Sequence, residues 1–226
     1  MSPDVELIAA VRAGLHELAD PDRAAGMTAY LKSAISCLGV RLPAVRALVR
    51  AEAHRRPPAS TGSLCATVLA LWRGASYREE RYAATELLNA PSARPLRRPD
   101  LITLYEELIV TGAWWDHVDE VAHRVGDLLL QFPDKIRPEV QAWQRADDLW
   151  LRRVSIICQV GARERTDIEL LSDAVKANSD DRDFFIRKAI GWALRDYART
   201  DPEWVRSFVL THPLSPLSVR EATKHL

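Results

Sequence analysis

Trp114-Trp115-Asp116-His117-Val118-Asp119 opens a stretch that runs on through Glu120-Val121-Ala122. Read as a helix, it puts Trp115 and Asp119, four residues apart, on one face. Arg153 stands 34 residues beyond Asp119, and Arg187 another 34 beyond that. Each of the three sits early in a segment with an apolar run behind it: Val121-Ala122, Val154-Ser155-Ile156-Ile157 and Ala189-Ile190-Gly191-Trp192. Arg81-Tyr82-Ala83-Ala84 reads as an earlier copy at a slightly longer interval. A period in this range belongs to helical hairpin repeats. The spacing predicts an all-α fold, an α-solenoid of stacked helix pairs whose second helices line a concave groove. A plain helical bundle with accidental spacing is the alternative.

The rest of the chain agrees with helices throughout. Ala, Leu, Arg and Glu dominate, all good helix formers, and alternating runs of Val and Ile are scarce. Capping residues stand before helical segments at Ser2-Pro3, Asp20-Pro21, Ser76, Asp201-Pro202 and Ser215-Pro216. The predicted spans are 3–19, 21–35, 43–56, 63–74, 76–90, 99–111, 113–131, 136–146, 148–161, 167–178, 181–199, 202–211 and 215–225. The longest break, 55–62, reads as a loop, and the basic, proline-rich 91–99 as extended surface chain. Neither is long enough to hide a second domain, so 1–226 is expected to be one domain.

At 47% hydrophobic and 27% charged, the composition suits a folded protein. The 31 basic and 31 acidic residues cancel, so net charge does not by itself announce a nucleic-acid partner. Most of the positive charge is arginine, whose planar fork suits phosphate. Cys37, Cys65 and Cys158 are scattered among apolar neighbours and read as small buried hydrophobes in a reducing compartment. No signal peptide and no membrane span is visible, and the expected location is the cytoplasm. No phosphate-cradling glycine loop and no Cys/His ligand set is present, so neither a cofactor nor a metal is expected.

On the repeat reading, Asp119, Arg153 and Arg187 point into one groove, with Trp115, Trp150 and Trp192 nearby. Each has a plainer explanation. A tryptophan in a helical repeat is usually core. A repeat arginine can tie neighbouring repeats together through a carboxylate, as Arg187 could with Asp183 or Asp196. Asp116 can cap the helix start, and His117 reads as a surface or partner residue rather than a base. The basic runs Arg41, Arg46, Arg50, His54, Arg55, Arg56 and Arg182, Arg187, Lys188, Arg195, Arg199 are solvated faces or else duplex contacts that hold phosphates without reading bases.

These residues carry a resemblance to the AlkD-like DNA alkylation repair family of HEAT-like-repeat DNA glycosylases. It runs over nearly the whole chain. Its most specific pieces are Tyr30-Leu31-Lys32, Leu38-Gly39-Val40, 114–119, Trp150-Leu151-Arg152-Arg153, and Phe184 through Arg195, followed by Thr200-Asp201-Pro202-Glu203-Trp204-Val205. The resemblance implies excision of 3-methyladenine and 7-methylguanine from double-stranded DNA. It matches Asp119 to the catalytic aspartate, Trp115 and Trp192 to the aromatic pair at the lesion, Arg153 to an arginine on the DNA backbone, and Tyr30 to a tyrosine near the same site. Arg187, Lys188 and Arg195 are the further expected DNA contacts, and a monomer is expected. A cationic base is already a good leaving group, so a single carboxylate can suffice, unlike ordinary glycoside hydrolysis. The competing readings are a non-catalytic helical-repeat binder of DNA or protein, and a peptide scaffold with tryptophan anchors.

Overall fold

The computed structural model describes residues 2–226. Every regular element among them is a helix, apart from one isolated parallel bridge between Ser36 and Tyr77. The chain forms two compact units, the first ending at Leu101 and the second running Ile102–Leu226.

The first unit contains α1 (Val5–Glu17), α2 (Pro21–Leu31), α3 (Leu42–Arg55), α4 (Thr61–Arg73) and α5 (Arg78–Asn89). The spacing of Leu7, Ile8, Val11 and Leu15 gives α1 one apolar face, and all four are buried. α5 is the hub, packing against α1, α3 and α4. Asp20 caps α2 as expected, accepting from the Arg23 N–H. The first cap differs: Asp4, rather than Ser2, accepts from the Leu7 N–H at 2.9 Å. At α5 the N-cap is Tyr77 rather than Ser76, and the Glu80 carboxylate reaches back to both backbone N–H groups. The segment expected to be extended forms a 3-10 helix over Pro91–Leu96, with Ala93 buried. Proline's fixed φ suits a first helical position as well as an extended one, and Ser92 Oγ ties the turn to the Ala53 carbonyl at 3.1 Å.

A buried carboxylate organises this unit. Glu79, with no solvent exposure, accepts from the N–H groups of Leu38, Gly39 and Val40 at 2.9, 2.9 and 3.1 Å. Gly39 has φ +84°, and a Cβ there would lie 2.1 Å from the Asp20 carbonyl oxygen. The Leu38-Gly39-Val40 signature is thus an anion-binding loop with no room for a side chain at its centre. Two neighbouring glutamates hold arginines: Glu80 takes Arg12 at 2.7 Å, and Glu86 takes Arg50 at 3.1 Å and Arg46 at 3.6 Å. Arg55 pairs with Glu52, and Arg56 with Glu6 and Glu52. Much of the 41–56 basic run is therefore committed to protein carboxylates.

The second unit continues with α6 (Leu101–Gly112), α7 (Trp115–Gln131), α8 (Pro133–Trp143), α9 (Leu149–Ile157), α10 (Ile168–Ala177), α11 (Phe184–Tyr197), α12 (Pro202–Thr211) and α13 (Pro216–Ala222). Its packing is regular. α7, α9, α11 and α13 lie side by side in one row, while α8 and α10 pack behind it and α12 joins α11 to α13. Asp119, Arg153 and Arg187 sit on three successive helices of that row, as the 34-residue spacing predicts.

Replacing Glu79 by Ala leaves three buried N–H donors without an acceptor. An orphaned donor costs about 1–3 kcal/mol, so Glu79→Ala is expected to lose ~3 kcal/mol or more in chemical denaturation. A midpoint unchanged from wild type refutes the role assigned to this carboxylate.

Candidate active site

α7 begins at Trp115, with extended Trp114 as its N-cap and no side-chain cap bond. Asp116 is therefore a first-turn residue rather than the cap. The buried face of α7 carries Val118, Val121, Ala122, Val125 and Leu128, together with His117. His117 has no exposure at all, against the expected surface position. Asp119 lies at the edge of this face, one turn after Trp115, and both are half-buried.

α9 starts on Asp148, whose carboxylate accepts from the N–H groups of Trp150 and Leu151 at 2.8 and 2.9 Å. The next turn carries Arg153, which is only 5% exposed. Its guanidinium meets Asp119 side-on, Nε donating to Oδ1 at 2.7 Å and Nη2 to Oδ2 at 2.8 Å. Nη1 donates to the Phe185 carbonyl at 2.6 Å. Three of the five N–H donors of the arginine are thus used within the protein. The pair that the 34-residue spacing brings together is an aspartate on one repeat and an arginine on the next.

The acceptor for Nη1 is itself fixed. Asp183 caps α11 and takes the Phe185 N–H at 2.6 Å, which holds that turn of backbone. The Phe185 ring packs tilted against Trp150 at 5.0 Å between centroids and edge-on against Trp114 at 5.6 Å, and Trp114 meets Trp150 at 6.3 Å. The Arg153 Cζ sits 6.0 Å from the Phe185 centroid. The arginine beside this aromatic wall is nearly withdrawn from solvent, and hydrogen bonds at low local dielectric are the stronger ones. Trp150 is 7% exposed, so it belongs to the wall rather than to an open surface.

Trp192 lies on α11 two turns beyond Phe185, half-buried, beside Gly191. Gly191 is required by packing: a Cβ there would stand 2.4 Å from the Glu221 Cβ of α13. Glu221 also joins the two helices by charge, holding Lys188 at 3.1 Å and Arg195 at 2.7 Å. Arg187 turns to the carbonyl of its own N-cap, Asp183, at 3.3 Å, rather than to a carboxylate. Asp196, the other partner considered for it, accepts from the Gly161 N–H at 2.6 Å. Of the residues expected to meet DNA, Arg153, Lys188 and Arg195 thus hold protein carboxylates. Tyr30, near the end of α2 in the first unit, is 73% exposed.

Sequence reasoning named Asp119 and Arg153 but gave them separate tasks. It missed the Phe185 carbonyl and the Trp114–Trp150–Phe185 wall. The signal that could find the pair is opposite charge at equivalent positions of successive repeats, Asp119 and Arg153.

A helical protein with one anchored carboxylate beside a tryptophan-rich helix row is the class that these features define. The family model for DNA alkylation repair enzyme matches residues 11–226. A solved structure, a predicted DNA alkylation repair enzyme from Enterococcus faecalis, superposes with a TM-score of 0.82 at 31% identity, covering 92% of this chain and 96% of that one. No curated protein matches the chain. The chain belongs to the DNA alkylation repair enzyme family.

Two outcomes test this geometry. Arg153→Met leaves the Asp119 carboxylate without its partner. Breaking a buried pair costs about 3–5 kcal/mol; with Asp119 partly exposed, a loss of ~2 kcal/mol or more in urea unfolding is expected. Arg153→Lys keeps the charge but not the fork, and should recover only part of that loss. The second outcome concerns Glu221, whose carboxyl is held below the ordinary range by hydrogen bonds from Arg195 and then Lys188. A depressed folded value stabilises above the unfolded pKa of about 4.3 and is lost as pH falls through the folded one. Glu221→Gln should therefore lower Tm at neutral pH, by on the order of 1 kcal/mol in stability, and converge with wild type on acidification below about pH 4.

Proposed function

We propose that this protein is a DNA glycosylase that hydrolyses the N-glycosidic bond of positively charged N3- and N7-alkylated purines in duplex DNA. The observation that carries this reading is Asp119, held by both carboxylate oxygens in the fork of Arg153, one turn after Trp115. An alkylated purine such as 7-methylguanine leaves as a neutral base, so no general acid is needed. The deoxyribose develops oxocarbenium character as the bond breaks. The Asp119 anion stabilises that charge and orients or deprotonates the attacking water.

Trp115 and Trp192 offer electron-rich faces to a cationic nucleotide, worth roughly 0.5–2 kcal/mol apiece. The same attraction acts on the sugar cation in the transition state, where it counts toward rate. Arg153 acts first on Asp119, fixing its orientation. Its two remaining N–H groups are the ones left for a phosphate beside the lesion. Tyr30 contributes an exposed aromatic ring to the DNA. The selection of substrate rests on base charge more than base shape, and the reading needs neither cofactor nor partner chain.

The test is release of free base from duplex DNA containing 7-methylguanine. Asp119→Asn should slow single-turnover release by about 10²–10³ while leaving DNA affinity nearly intact. Equal rates for wild type and variant, or equal excision of a neutral lesion, would remove the basis for this reading.

A further inference from the structure

The exposed edge of α7 does not stop at Asp119. One turn further along it stands His123, and His123 opens a cleft of about 180 Å³ that the proposed chemistry does not use. Arg124, Asp127, Gln159, Gly161 and Arg165 complete its walls. The cleft owes its form to two glycines. At Gly126 the end of α9 comes so near α7 that a Cβ would lie 2.1 Å from the Cys158 carbonyl oxygen. At Gly161, with φ +89°, the chain turns away again and leaves a hollow behind it.

Several cations of the second unit are engaged within the protein. Lys188, Arg195, Arg152 and Arg153 all hold carboxylates. Arg124 leans on Asp127 at 3.2 Å. The Arg165 guanidinium pairs with no carboxylate among the described residues, and the His123 ring makes no hydrogen bond among them. A concave site thus offers one uncommitted fork and one uncommitted imidazole, with Arg124 also on its wall.

We propose that this cleft binds a single phosphodiester group of the DNA strand held at Asp119. The cavity is small against the roughly 300–1,000 Å³ of pockets that hold whole small molecules, so it fits one tetrahedral anion rather than a nucleotide. The guanidinium fork matches such an anion in shape. Four to eight residues of α7 separate Asp119 from His123 and Asp127, about 6–12 Å of helix, so the cleft lies within reach of a strand bound at Asp119. The placement beside Asp119 rests on the glycosylase reading; the phosphate chemistry does not.

The experiment measures binding to undamaged and 7-methylguanine duplexes across a range of salt concentrations. Each neutralised phosphate contributes about 0.9 to the slope of log affinity against log salt. Arg165→Gln is expected to reduce that slope by about 1, equally on both duplexes, with single-turnover excision at saturating protein unchanged. Arg165→Lys should restore the slope, and His123→Gln should weaken binding to both duplexes alike. A wild-type slope in Arg165→Gln overturns the proposal, as does saturation of the His123 resonances by inorganic phosphate without any change in that slope. Because undamaged DNA is one arm, the result stands whether or not base release is seen. Absent excision with a reduced slope refutes the glycosylase reading alone.

Discussion

The paired hydrogen bonds between Arg153 and Asp119 join two neighbouring helices, and a third bond from the same guanidinium reaches the first turn of a third helix. Stability alone does not account for such an arrangement. Taking two charges out of water costs several kcal/mol per ion, and a well-packed apolar pair is often at least as stable. What the ion pair adds is direction. A lone aspartate on a helix surface samples several rotamers, whereas one gripped at both oxygens does not. On the glycosylase reading proposed above, this carboxylate faces developing positive charge and must already be in place, since its reorientation would otherwise be part of the barrier. The aromatic wall of Trp114, Trp150 and Phe185 serves the same end by fixing the arginine from behind.

The balanced charge of the chain has a structural meaning. Many of its arginines are not part of a uniform basic coat but lie against carboxylates of neighbouring helices. Glu86 holds Arg46 and Arg50, Glu80 holds Arg12, and Glu221 holds Arg195 and Lys188. Such pairs knit helix to helix across the repeat. Cys158 follows the same logic of burial: the apolar surroundings push its thiol up to about 12, and it acts as a small packing group rather than a nucleophile.

Much of the helical fold was legible because its signals are local. Aspartates and serines before prolines mark helix starts, and the capping bonds at Asp20, Asp201 and Ser215 follow from chemistry within four residues. The 34-residue period was equally plain, since it copies one apolar pattern. Pairings made at long range were not. Nothing near Glu79 says that its carboxylate closes a loop forty residues earlier, and nothing near Phe185 says that its carbonyl is an acceptor. The burial of His117 is not legible locally, because a histidine beside Asp116 near a helix start fits either face until the packing is known. The 91–96 turn was misread because proline suits both an extended chain and a tight helix. At the site, residue type gave Asp119 and Arg153, but their distance from one another belongs to packing.

The Glu79 clamp carries a consequence for the order in which the polypeptide matures on the ribosome. The loop it closes leaves the exit tunnel first, and its anion follows 40 residues later. At a synthesis rate of about 5–20 residues per second, the three amides wait roughly 2–8 s for their acceptor. Until then α1 and α2 can form turns but cannot lock the bend between α2 and α3. The amino-terminal hairpin of this repair protein therefore matures by closure from behind, after α5 has emerged, and not as an independent vectorial step.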